Sequence, residues 1–367
     1  MASGGRNRTR HPGSHLIRVC PRRSRQIITQ GGAGLPGATL GLQFVMPGYV
    51  FSIAMCTFNG ARFLPEQLQS IAKQTRRPDE LVVCDDGSTD DTVELVRAFA
   101  RHAPFPAHLT QNPKNLGTMA NFENAIRLCR GDLIALADQD DVWRPDKLGR
   151  LEQEFASAPE VGLVFSDAAI VDRDRQPLGY NLWQAIGFTP SERRAFREGR
   201  AFASMLRRCR VTGATMGFRA TFRDFLVPIP RGWLHDAWIA LLISAVAPVA
   251  PVEELLIEYR QHPHQQIGGQ DRGLATQYRT AREMGQDTFL AIASRFVEAL
   301  DRLRGRPEVP LGYLRALEEK VAHCQARARM RDPGTRRLPL VVGEIRKGNY
   351  SKYSRGWKAV AQDLFLP

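Results

Sequence analysis

Short apolar runs alternate with amphipathic segments along the chain from Val50 onward. The runs at residues 50–56, 81–84, 108–110 and 133–137 predict four strands. The segments between them repeat apolar residues at helical spacing: Phe63, Leu64, Leu68 and Ile71, then Val93, Val96 and Ala100, then Phe122, Ala125, Ile126 and Cys129. Strands that alternate with helices are typical of βαβ units. The sequence therefore predicts an α/β fold with a mixed, mostly parallel sheet flanked by helices.

Polar side chains follow three of these strands at the points where the strands end. Thr57 and Asn59 follow the first strand, and the pair Asp85 and Asp86 follows the second. An acidic turn that begins at Asp138 follows the fourth strand. Open α/β sheets bind ligands beyond the carboxyl ends of their strands, so we expect the three loops to line one crevice.

The turn at Asp138, Asp140 and Asp141 places three carboxylates within four residues, between an apolar strand and Trp143. Carboxylates this close repel one another when water is partly excluded. A divalent cation with oxygen ligands would compensate them, and would also neutralise a diphosphate leaving group. The alternative is a solvated acidic turn in which Asp141 caps the helix that Pro145 opens. Two aspartates in a D-x-D pattern do not by themselves decide between these readings.

The cluster after the second strand has two interpretations that apply to different residues. Ser88 or Thr89 is a natural N-cap, and the acidic residues that follow complement the positive end of a helix dipole. Asp85 and Asp86 lie directly at the strand end. A carboxylate there can accept the imide N–H of uracil or thymine.

Composition places the chain among ordinary globular proteins, because 43% of its 367 residues are hydrophobic and 24% are charged. The net charge of +13 is unevenly distributed, since the first acidic residue is Glu66. Seven basic residues precede it within the first 25 positions: Arg6, Arg8, Arg10, Arg18, Arg22, Arg23 and Arg25. We expect residues 1–47 to be a basic leader outside the fold, either a disordered tail or the product of a start codon assigned too early, with Met46 as the candidate start. The alternative is contact with an anionic membrane surface or glycolipid.

Six cysteines are scattered without a C-x-x-C pair, which favours neither a zinc site nor a disulfide framework. A reducing cytoplasm fits this pattern. The most apolar run, residues 237–252, contains Pro248 and Pro251 and is too short to cross a bilayer. We therefore expect a cytoplasmic protein, with peripheral contact at the inner face of the cell membrane as a further expectation.

Four runs in order, SIAMCTFNGARFLPEQLQSI, LVVCDDGSTDDT, NLGTMANFENAI and GDLIALADQDDVWRPDKL, resemble the family 2 glycosyltransferases of the GT-A fold. The resemblance is to the rhamnosyltransferase-like members that build bacterial surface polysaccharides. Later runs, VTGATMGFR, LHDAW and IEYRQHPHQQIG, are similar to later blocks of the same group. The resemblance implies a Rossmann-like GT-A catalytic domain over residues 48–268 and leaves residues 269–367 as a helical C-terminal region.

The resemblance also implies roles for individual residues. The residues expected to bind the nucleotide sugar are Thr57, Asn59, Asp85, Asp86, Asn115, Gly117, Asp138, Arg260 and His262. Asp140 and Asp138 are expected to hold Mg²⁺ or Mn²⁺, with Asp140 as the direct ligand and Asp138 nearer the ribose. Asp236, in the pair His235-Asp236, is the expected catalytic base, whereas its structural alternative is a helix N-cap. The family more often has Gly-Asn where this chain has Pro263-His264.

The function these features imply is inverting transfer of a sugar, with rhamnose suggested, from a nucleoside diphosphate donor to a hydroxyl of a glycan or lipid-linked acceptor. A metal-dependent nucleotidyltransferase remains an alternative, although such enzymes normally begin with a Gly- and Arg-rich phosphate loop. A basic protein that binds anionic polymers is a third class, but much of the positive charge lies in the leader, and no nucleic-acid partner is expected. The C-terminal region repeats apolar residues at helical spacing, which predicts helices that contact a membrane surface, a second copy or the catalytic domain.

Overall fold

The computed structural model describes residues 48–262, 279 and 282–366. The strands in this part of the chain are β1 (Phe51–Thr57), β2 (Glu80–Asp85), β3 (Ala107–Gln111), β4 (Leu133–Ala137), β5 (Val142–Trp143), β6 (Leu163–Val171), β7 (Pro177–Asn181), β8 (Met216–Arg219) and β9 (Val249–Arg260). The helices are α1 (Leu64–Ala72), α2 (Thr92–His102), α3 (Thr118–Leu128), α4 (Lys147–Ser157), α5 (Leu182–Ala185), α6 (Pro190–Arg197), α7 (Ala201–Arg207), α8 (Arg223–Leu226), α9 (His235–Val246), α10 (Gln286–Leu303), α11 (Leu311–Arg329), α12 (Arg337–Arg346), α13 (Asn349–Tyr353) and α14 (Trp357–Phe365).

The strands form one mixed sheet in the order β3-β2-β1-β4-β8-β6-β9-β5, with β7 paired to β6. The strands β3, β2, β1 and β4 are parallel neighbours, as are β6 and β9. The strand β8 runs antiparallel between β4 and β6 and joins the two halves. The four predicted strands agree with β1 to β4 to within one residue at each end.

Both faces of the sheet are covered, as the continuous apolar runs require. Because successive side chains of a strand point to opposite faces, Ala54 and Cys56 of β1 join one hydrophobic core, and Ile53 and Met55 join the other. The first core lies under α3 and α9, and the second lies under α1 and α4. This two-sided burial holds the strand ends, and the loops that follow them, in fixed positions.

The C-terminal helices share the first core. Phe296, Leu300 and Leu317, from α10 and α11, are buried in it together with residues of the sheet. Phe296 packs edge-on against Trp233, with ring centroids 5.4 Å apart. Residues from Gly48 onward cluster as one compact unit. The predicted leader, residues 1–47, and the predicted domain boundary at residue 268 lie outside the described residues and stay predictions.

The helix α2 begins later than its capping pattern predicts. Its first residue is Thr92 and its N-cap is Asp91, so the prediction of Ser88 or Thr89 as N-cap is wrong. The Ser88 hydroxyl instead donates to Asp85, and the Thr89 backbone N–H donates to the Asn59 side chain at 2.8 Å. Ser88 and Thr89 are therefore engaged by the strand end and by the loop after β1, and the helix begins beyond them. In the part of the chain that is described, no helix combines the length and the apolar character needed to cross a membrane.

Candidate active site

A pocket opens at the carboxyl edge of the sheet, where β1, β2 and β4 end side by side. Parallel pairing sets Thr57 opposite Asp85 and Met55 opposite Ala137, so the loops that follow these strands meet. The start of α9 and the end of β9 supply further walls. Eight of the eleven predicted site residues line the pocket: Thr57, Asp86, Asn115, Gly117, Asp138, Asp140, Asp236 and His262. Three do not: Asn59, Asp85 and Arg260.

The acidic turn after β4 forms the most negatively charged part of the wall. Burial, together with the carboxylates of Asp140 and Asp236, raises the pKa of Asp138 to about 7, against the opposing effect of Lys147. Burial and the neighbouring aspartates also raise the pKa of Asp141 well above its ordinary value. The Asp141 Oδ2 atom finds no hydrogen-bond partner among the described residues. The surroundings therefore do not fully compensate the ionised forms of Asp138 and Asp141, and the carboxyls retain protons more readily than usual.

Lys147, the first residue of α4, is fully buried and lowers the pKa values of Asp138 and Asp141, and the sequence does not predict this role. Its Nζ donates to the Ala214 carbonyl at 2.7 Å and lies 3.5 Å from the centre of the Trp143 ring. Burial lowers the pKa of Lys147 well below its usual range, while Asp141 and Asp138 counteract that shift. The lysine sits behind the turn and not in the pocket wall, so it compensates part of the charge without reaching a ligand.

His262 and Arg260 approach the acidic turn from the end of β9 in different ways. His262 lines the pocket, and its Nε2 lies 2.8 Å from the Asp140 carboxylate. Arg260 is 1% exposed, and its guanidinium donates to the Asp140 carbonyl at 2.8 Å and to Glu66 at 2.9 Å. The backbone N–H of Arg260 donates to Asp141 at 3.1 Å. The structure thus differs from the prediction that Arg260 faces the nucleotide sugar: the side chain fixes the turn from behind.

Asp236 lies in the first turn of α9 and faces the pocket. Its carboxylate accepts hydrogen bonds from the Ala237 N–H at 2.6 Å and from the Gly213 N–H at 3.3 Å. The N-cap of the helix is Leu234, so the alternative reading of Asp236 as the N-cap is wrong. Two backbone donors fix the orientation of the carboxylate, and its pocket-facing position leaves it open to a ligand.

His235, next to Asp236, is a buried histidine with an unusual environment. Its ring stacks on Phe122 with centroids 4.0 Å apart, and neither ring nitrogen has a hydrogen-bond partner in the described structure. Burial lowers the pKa of His235, against the effect of Asp236, and this favours the neutral ring. A Cβ at Gly213 would lie 2.5 Å from His235 Nε2. The glycine is therefore required for the histidine to occupy this position.

Asp86 organises the opposite wall of the pocket. Its carboxylate accepts hydrogen bonds from the backbone N–H groups of Leu116 and Gly117 and from the side chain of Asn112, each at 2.8 Å. Gly117 has a φ of 86°, a left-handed conformation that favours glycine. Asn115 accepts from the Gly117 N–H at 3.1 Å. Asp86 thus attaches the segment of Asn115 and Gly117 to the end of β2.

Asp85 and Asn59 do not line the pocket. The fully buried Asp85 carboxylate accepts from the Thr57 hydroxyl at 2.8 Å and from Ser88, through its backbone N–H at 2.9 Å and its hydroxyl at 2.5 Å. The Asn59 backbone N–H donates to the Ser88 hydroxyl at 2.9 Å. The structure therefore differs from the prediction that Asp85 receives a pyrimidine and that Asn59 contacts a nucleotide. Both side chains connect the loops after β1 and β2.

Part of the region that carries this pocket is similar to known glycosyltransferases. Residues 52–224 match the family described as Glycosyl transferase family 2. The chain is 31% identical to the chondroitin synthase of Escherichia coli over 132 residues, which are 35% of this chain and 19% of that protein. It is 35% identical to the putative glycosyltransferase EpsE of Bacillus subtilis over 105 residues, which are 29% of this chain and 37% of that protein. The chain thus spans between about a fifth and somewhat over a third of the lengths of these two relatives.

A solved structure shows the same fold. The crystal structure of Staphylococcus aureus TarS residues 1–349 in complex with UDP-GlcNAc superposes with a TM-score of 0.50 and 14% sequence identity. The match covers 86% of this chain and 81% of that chain. It confirms the predicted fold class, a mixed α/β sheet of the GT-A type flanked by helices, with helices that follow it.

Proposed function

We propose that this chain, whose residues 52–224 match the family described as Glycosyl transferase family 2, transfers a sugar from a nucleoside diphosphate donor to an acceptor hydroxyl with inversion at the anomeric carbon. The observation that carries the proposal is the single pocket that brings together Asp86, the acidic turn at Asp138 and Asp140, and Asp236. These groups come from three separate parts of the chain. Their arrangement matches the three tasks of the reaction: holding a nucleoside, compensating a diphosphate and accepting a proton.

The nucleoside is assigned to the side of the pocket that Asp86 organises. Of the two aspartates at the end of β2, Asp86 lines the pocket, whereas Asp85 is fully buried among loop donors. The Asp86 carboxylate also holds the backbone of Leu116 and Gly117. A base that enters here would therefore meet a wall of fixed polar groups, which is how pockets select the orientation of a ligand.

The diphosphate is assigned to the acidic turn, with a divalent cation between them. The fit of such a cation rests on the raised pKa of Asp138 and on the unpartnered Asp141 Oδ2, because both show that ionised carboxylates in this turn lack a compensating positive charge. Within the described residues, no group of three or more side chains could hold a metal by itself. Mg²⁺ commonly binds through one or two carboxylates together with substrate phosphates, and the Asp140 carboxylate beside His262 suits that mode. The bound cation would stabilise negative charge on the departing diphosphate.

Asp236 is assigned as the general base. As the acceptor oxygen forms its bond to the anomeric carbon, the bond from that carbon to the diphosphate breaks, and the acceptor proton passes to Asp236. The Gly213 and Ala237 N–H groups orient the carboxylate for this transfer. Displacement by a nucleophile opposite the leaving group inverts the configuration of the sugar.

The finer proposals concern the substrates. The sequence resemblance extends the proposal to rhamnose as the sugar, thymidine diphosphate as its carrier, and a glycan or lipid-linked acceptor used in surface polysaccharide synthesis. The synthesis would take place in the cytoplasm, at the inner face of the cell membrane. These details rest on the resemblance alone. A protein that uses a different nucleotide sugar would contradict rhamnose as the sugar but would still support glycosyl transfer as the reaction.

The test is a panel of nucleotide sugars given to the purified full-length protein, with Mn²⁺, Mg²⁺ or EDTA. Water can replace the acceptor, so slow release of nucleoside diphosphate from one donor is expected, and EDTA should abolish it. The Asp140→Asn variant should lose the release, while Asp174→Asn, in an exposed turn, serves as the matched control. Activity that persists undiminished in EDTA would contradict the metal assignment. Pyrophosphate formed from a nucleoside triphosphate and a sugar phosphate, with no turnover of any nucleotide sugar, would instead identify a nucleotidyltransferase.

A further inference from the structure

The helices α12 and α14 bury small apolar side chains against each other, but each also exposes large apolar side chains and buries an acidic one, the reverse of an ordinary surface helix at those positions. In α12 the residues Leu338, Val342 and Ile345 are exposed, at the spacing of one helical stripe, while the acidic Glu344 is buried. In α14 the exposed stripe contains Trp357 and Phe365, which are 77% and 79% exposed. An ordinary helix would bury such side chains and expose its carboxylate.

Buried polar contacts fix this inverted orientation. Asp363 of α14 is fully buried and accepts hydrogen bonds from Arg327 at 2.7 and 2.9 Å, from Arg331 at 2.8 Å and from the Tyr350 hydroxyl at 2.8 Å. Rotating α14 to bury its apolar stripe would break all of these contacts and leave an unpaired buried charge, a costly change. The outward direction of Trp357 and Phe365 is therefore built into the fold.

Glu344 fixes α12 in the same way. Its carboxylate lies 2.6 Å from His323 Nδ1 and accepts from the Asn349 side chain at 2.8 Å. The two helices also pack on each other through a small core that includes Val341, Ala359 and Val360. The two helices thus form one packed pair, and we call the exposed residues of the segment 336–366 the C-terminal face.

The charge of the C-terminal face is positive. Residues 336–366 contain seven basic residues and only two acidic ones, and both acidic residues, Glu344 and Asp363, are buried and paired. Four exposed basic residues form no salt bridge within the described part of the chain: Arg336, Arg346, Arg355 and Lys358. Like charges on both copies would oppose self-association through this face, whereas an anionic surface would be attracted to it.

We propose that the C-terminal face docks onto the surface of an anionic phospholipid bilayer, with Trp357, Phe365 and the α12 stripe in the interfacial region and the cations against the lipid headgroups. Exposed apolar residues beside unpaired Lys and Arg are the combination that interfacial membrane binding requires. A nucleic acid would bind the basic side chains, but it would not bury the exposed stripe of Leu338, Val342 and Ile345. The inference is independent of the proposed reaction.

The test is co-sedimentation of the full-length protein with vesicles of phosphatidylglycerol and phosphatidylcholine, and with vesicles of phosphatidylcholine alone. We expect binding to the anionic vesicles that falls steeply with salt, and much weaker binding to the neutral ones. The double variant Trp357→Ser with Phe365→Ser should lower the partition coefficient by roughly tenfold or more. The matched control is Leu311→Ser, which alters a 72% exposed leucine at the start of α11.

Charge is tested separately. Arg346→Glu with Lys358→Glu should lower the partition coefficient by roughly tenfold or more. Arg101→Glu with Arg130→Glu changes the net charge equally on exposed residues outside this face and should have little effect. Equal binding of all variants, or binding to a single-stranded polynucleotide but not to vesicles, would overturn the proposal. A dimer in solution that the Trp357 and Phe365 substitutions dissociate, without any vesicle binding, would identify the face as a contact between two copies.

Discussion

At the scale of single residues, the site depends on which side of a strand end each carboxylate faces. Asp85 and Asp86 are adjacent in sequence, yet one is fully buried among hydroxyl and backbone donors and the other lines the pocket. The same division separates Asp140, in the pocket wall, from Asp141, which lies behind it against the Arg260 backbone. A cluster of acidic residues therefore combines binding groups with groups that hold the binding loop.

Asp236→Asn tests the proposed base at this scale. Asparagine has nearly the same shape but keeps only one of the two oxygens, so it can accept from either the Gly213 or the Ala237 N–H group and loses the other hydrogen bond. It cannot take the proton of the acceptor, and we expect turnover to fall by about 10² to 10⁴-fold with donor affinity nearly unchanged. Turnover in single-turnover assays and donor affinity by calorimetry measure the two effects. An equal loss of donor affinity would mean that Asp236 is a binding or structural residue.

Gly213→Ala tests the fit between the pocket wall and His235. The new methyl group would lie 2.5 Å from His235 Nε2, so the imidazole must move from its stack on Phe122. We expect the free energy of unfolding to fall by about 1 to 3 kcal/mol, the usual cost of overpacking. In a His235→Ala background the same substitution should cost little, because the clashing ring is gone. Urea denaturation of the four proteins measures this coupling.

The matched control for that cycle is Gly312→Ala. A Cβ at Gly312 would meet no atom within 4 Å, and the residue lies in the first turn of α11. It should leave stability unchanged or raise it slightly. Additive effects of Gly213→Ala and His235→Ala would contradict the predicted contact.

At the scale of elements, the strands β1 to β4 and the helices between them follow from the sequence because local and long-range preferences agree there. Their apolar runs are buried on both faces, so each segment has only one way to pack. The start of α2 does not follow, because Thr89 bonds to Asn59, 30 residues away, and Ser88 bonds to Asp85, so neither residue caps the helix. A helix or strand can be predicted where any apolar neighbour would bury it. It is harder to predict where one specific hydrogen bond sets its first residue.

The same reason explains which parts of the candidate site were missed. Lys147 was not predicted because its partner, the Ala214 carbonyl, is 67 residues away and belongs to no motif. Gly213 lies in the run VTGATMGFR, but that run does not reveal its contact with His235, and this contact is what makes the glycine necessary. The position of Arg260 behind the acidic turn depends on Glu66, which comes from the other end of the domain. The sequence identifies the chemical groups, whereas long-range contacts decide which of them face the ligand.

Glu344→Gln tests the link between α11 and α12. Burial would raise the Glu344 pKa, but hydrogen bonds from His323 and Asn349 prevail and lower it to about 2. The folded pKa lies below the unfolded one, so this carboxylate stabilises the protein above about pH 4.3, and the stabilisation is lost as the pH falls toward 2. We expect the variant to be less stable than the wild type by about 2 kcal/mol at pH 7, with a smaller difference at pH 3. Denaturant titrations of both proteins at pH 7 and at pH 3 measure the difference in the free energy of unfolding.

The titration of His323 also makes the folded protein less stable at low pH. Burial lowers its pKa, so the unfolded chain takes up this proton first as the pH falls below about 6.5, and stability decreases. Glu318→Gln, on an exposed glutamate of α11, serves as the matched control and should show no such pH dependence. A stability difference for Glu344→Gln that is constant from pH 7 to pH 3 would contradict the assignment.

At the scale of the whole molecule, the C-terminal helices and the sheet share a core, and this decides how the chain unfolds. Phe296 of α10 packs against Trp233, whose indole N–H donates to the Arg295 carbonyl at 3.0 Å. Tyr313 stacks on Phe202 with centroids 4.2 Å apart. If these contacts couple the two regions, residues 48–366 should unfold in one cooperative transition, whereas weak coupling would give two.

Phe296→Ala tests that coupling. Removing a buried phenylalanine should cost about 3 to 5 kcal/mol and lower the melting temperature by about 5 °C or more. Because the lost contact lies in the shared core, loss of nucleotide binding and loss of helical circular dichroism should occur at the same lowered temperature. Phe289→Ala removes a phenylalanine that packs on Arg327 and Arg331 within the C-terminal helices, so it perturbs that region from inside. If either variant melts the C-terminal helices while nucleotide binding persists to the wild-type temperature, the helical region is a separate folding unit.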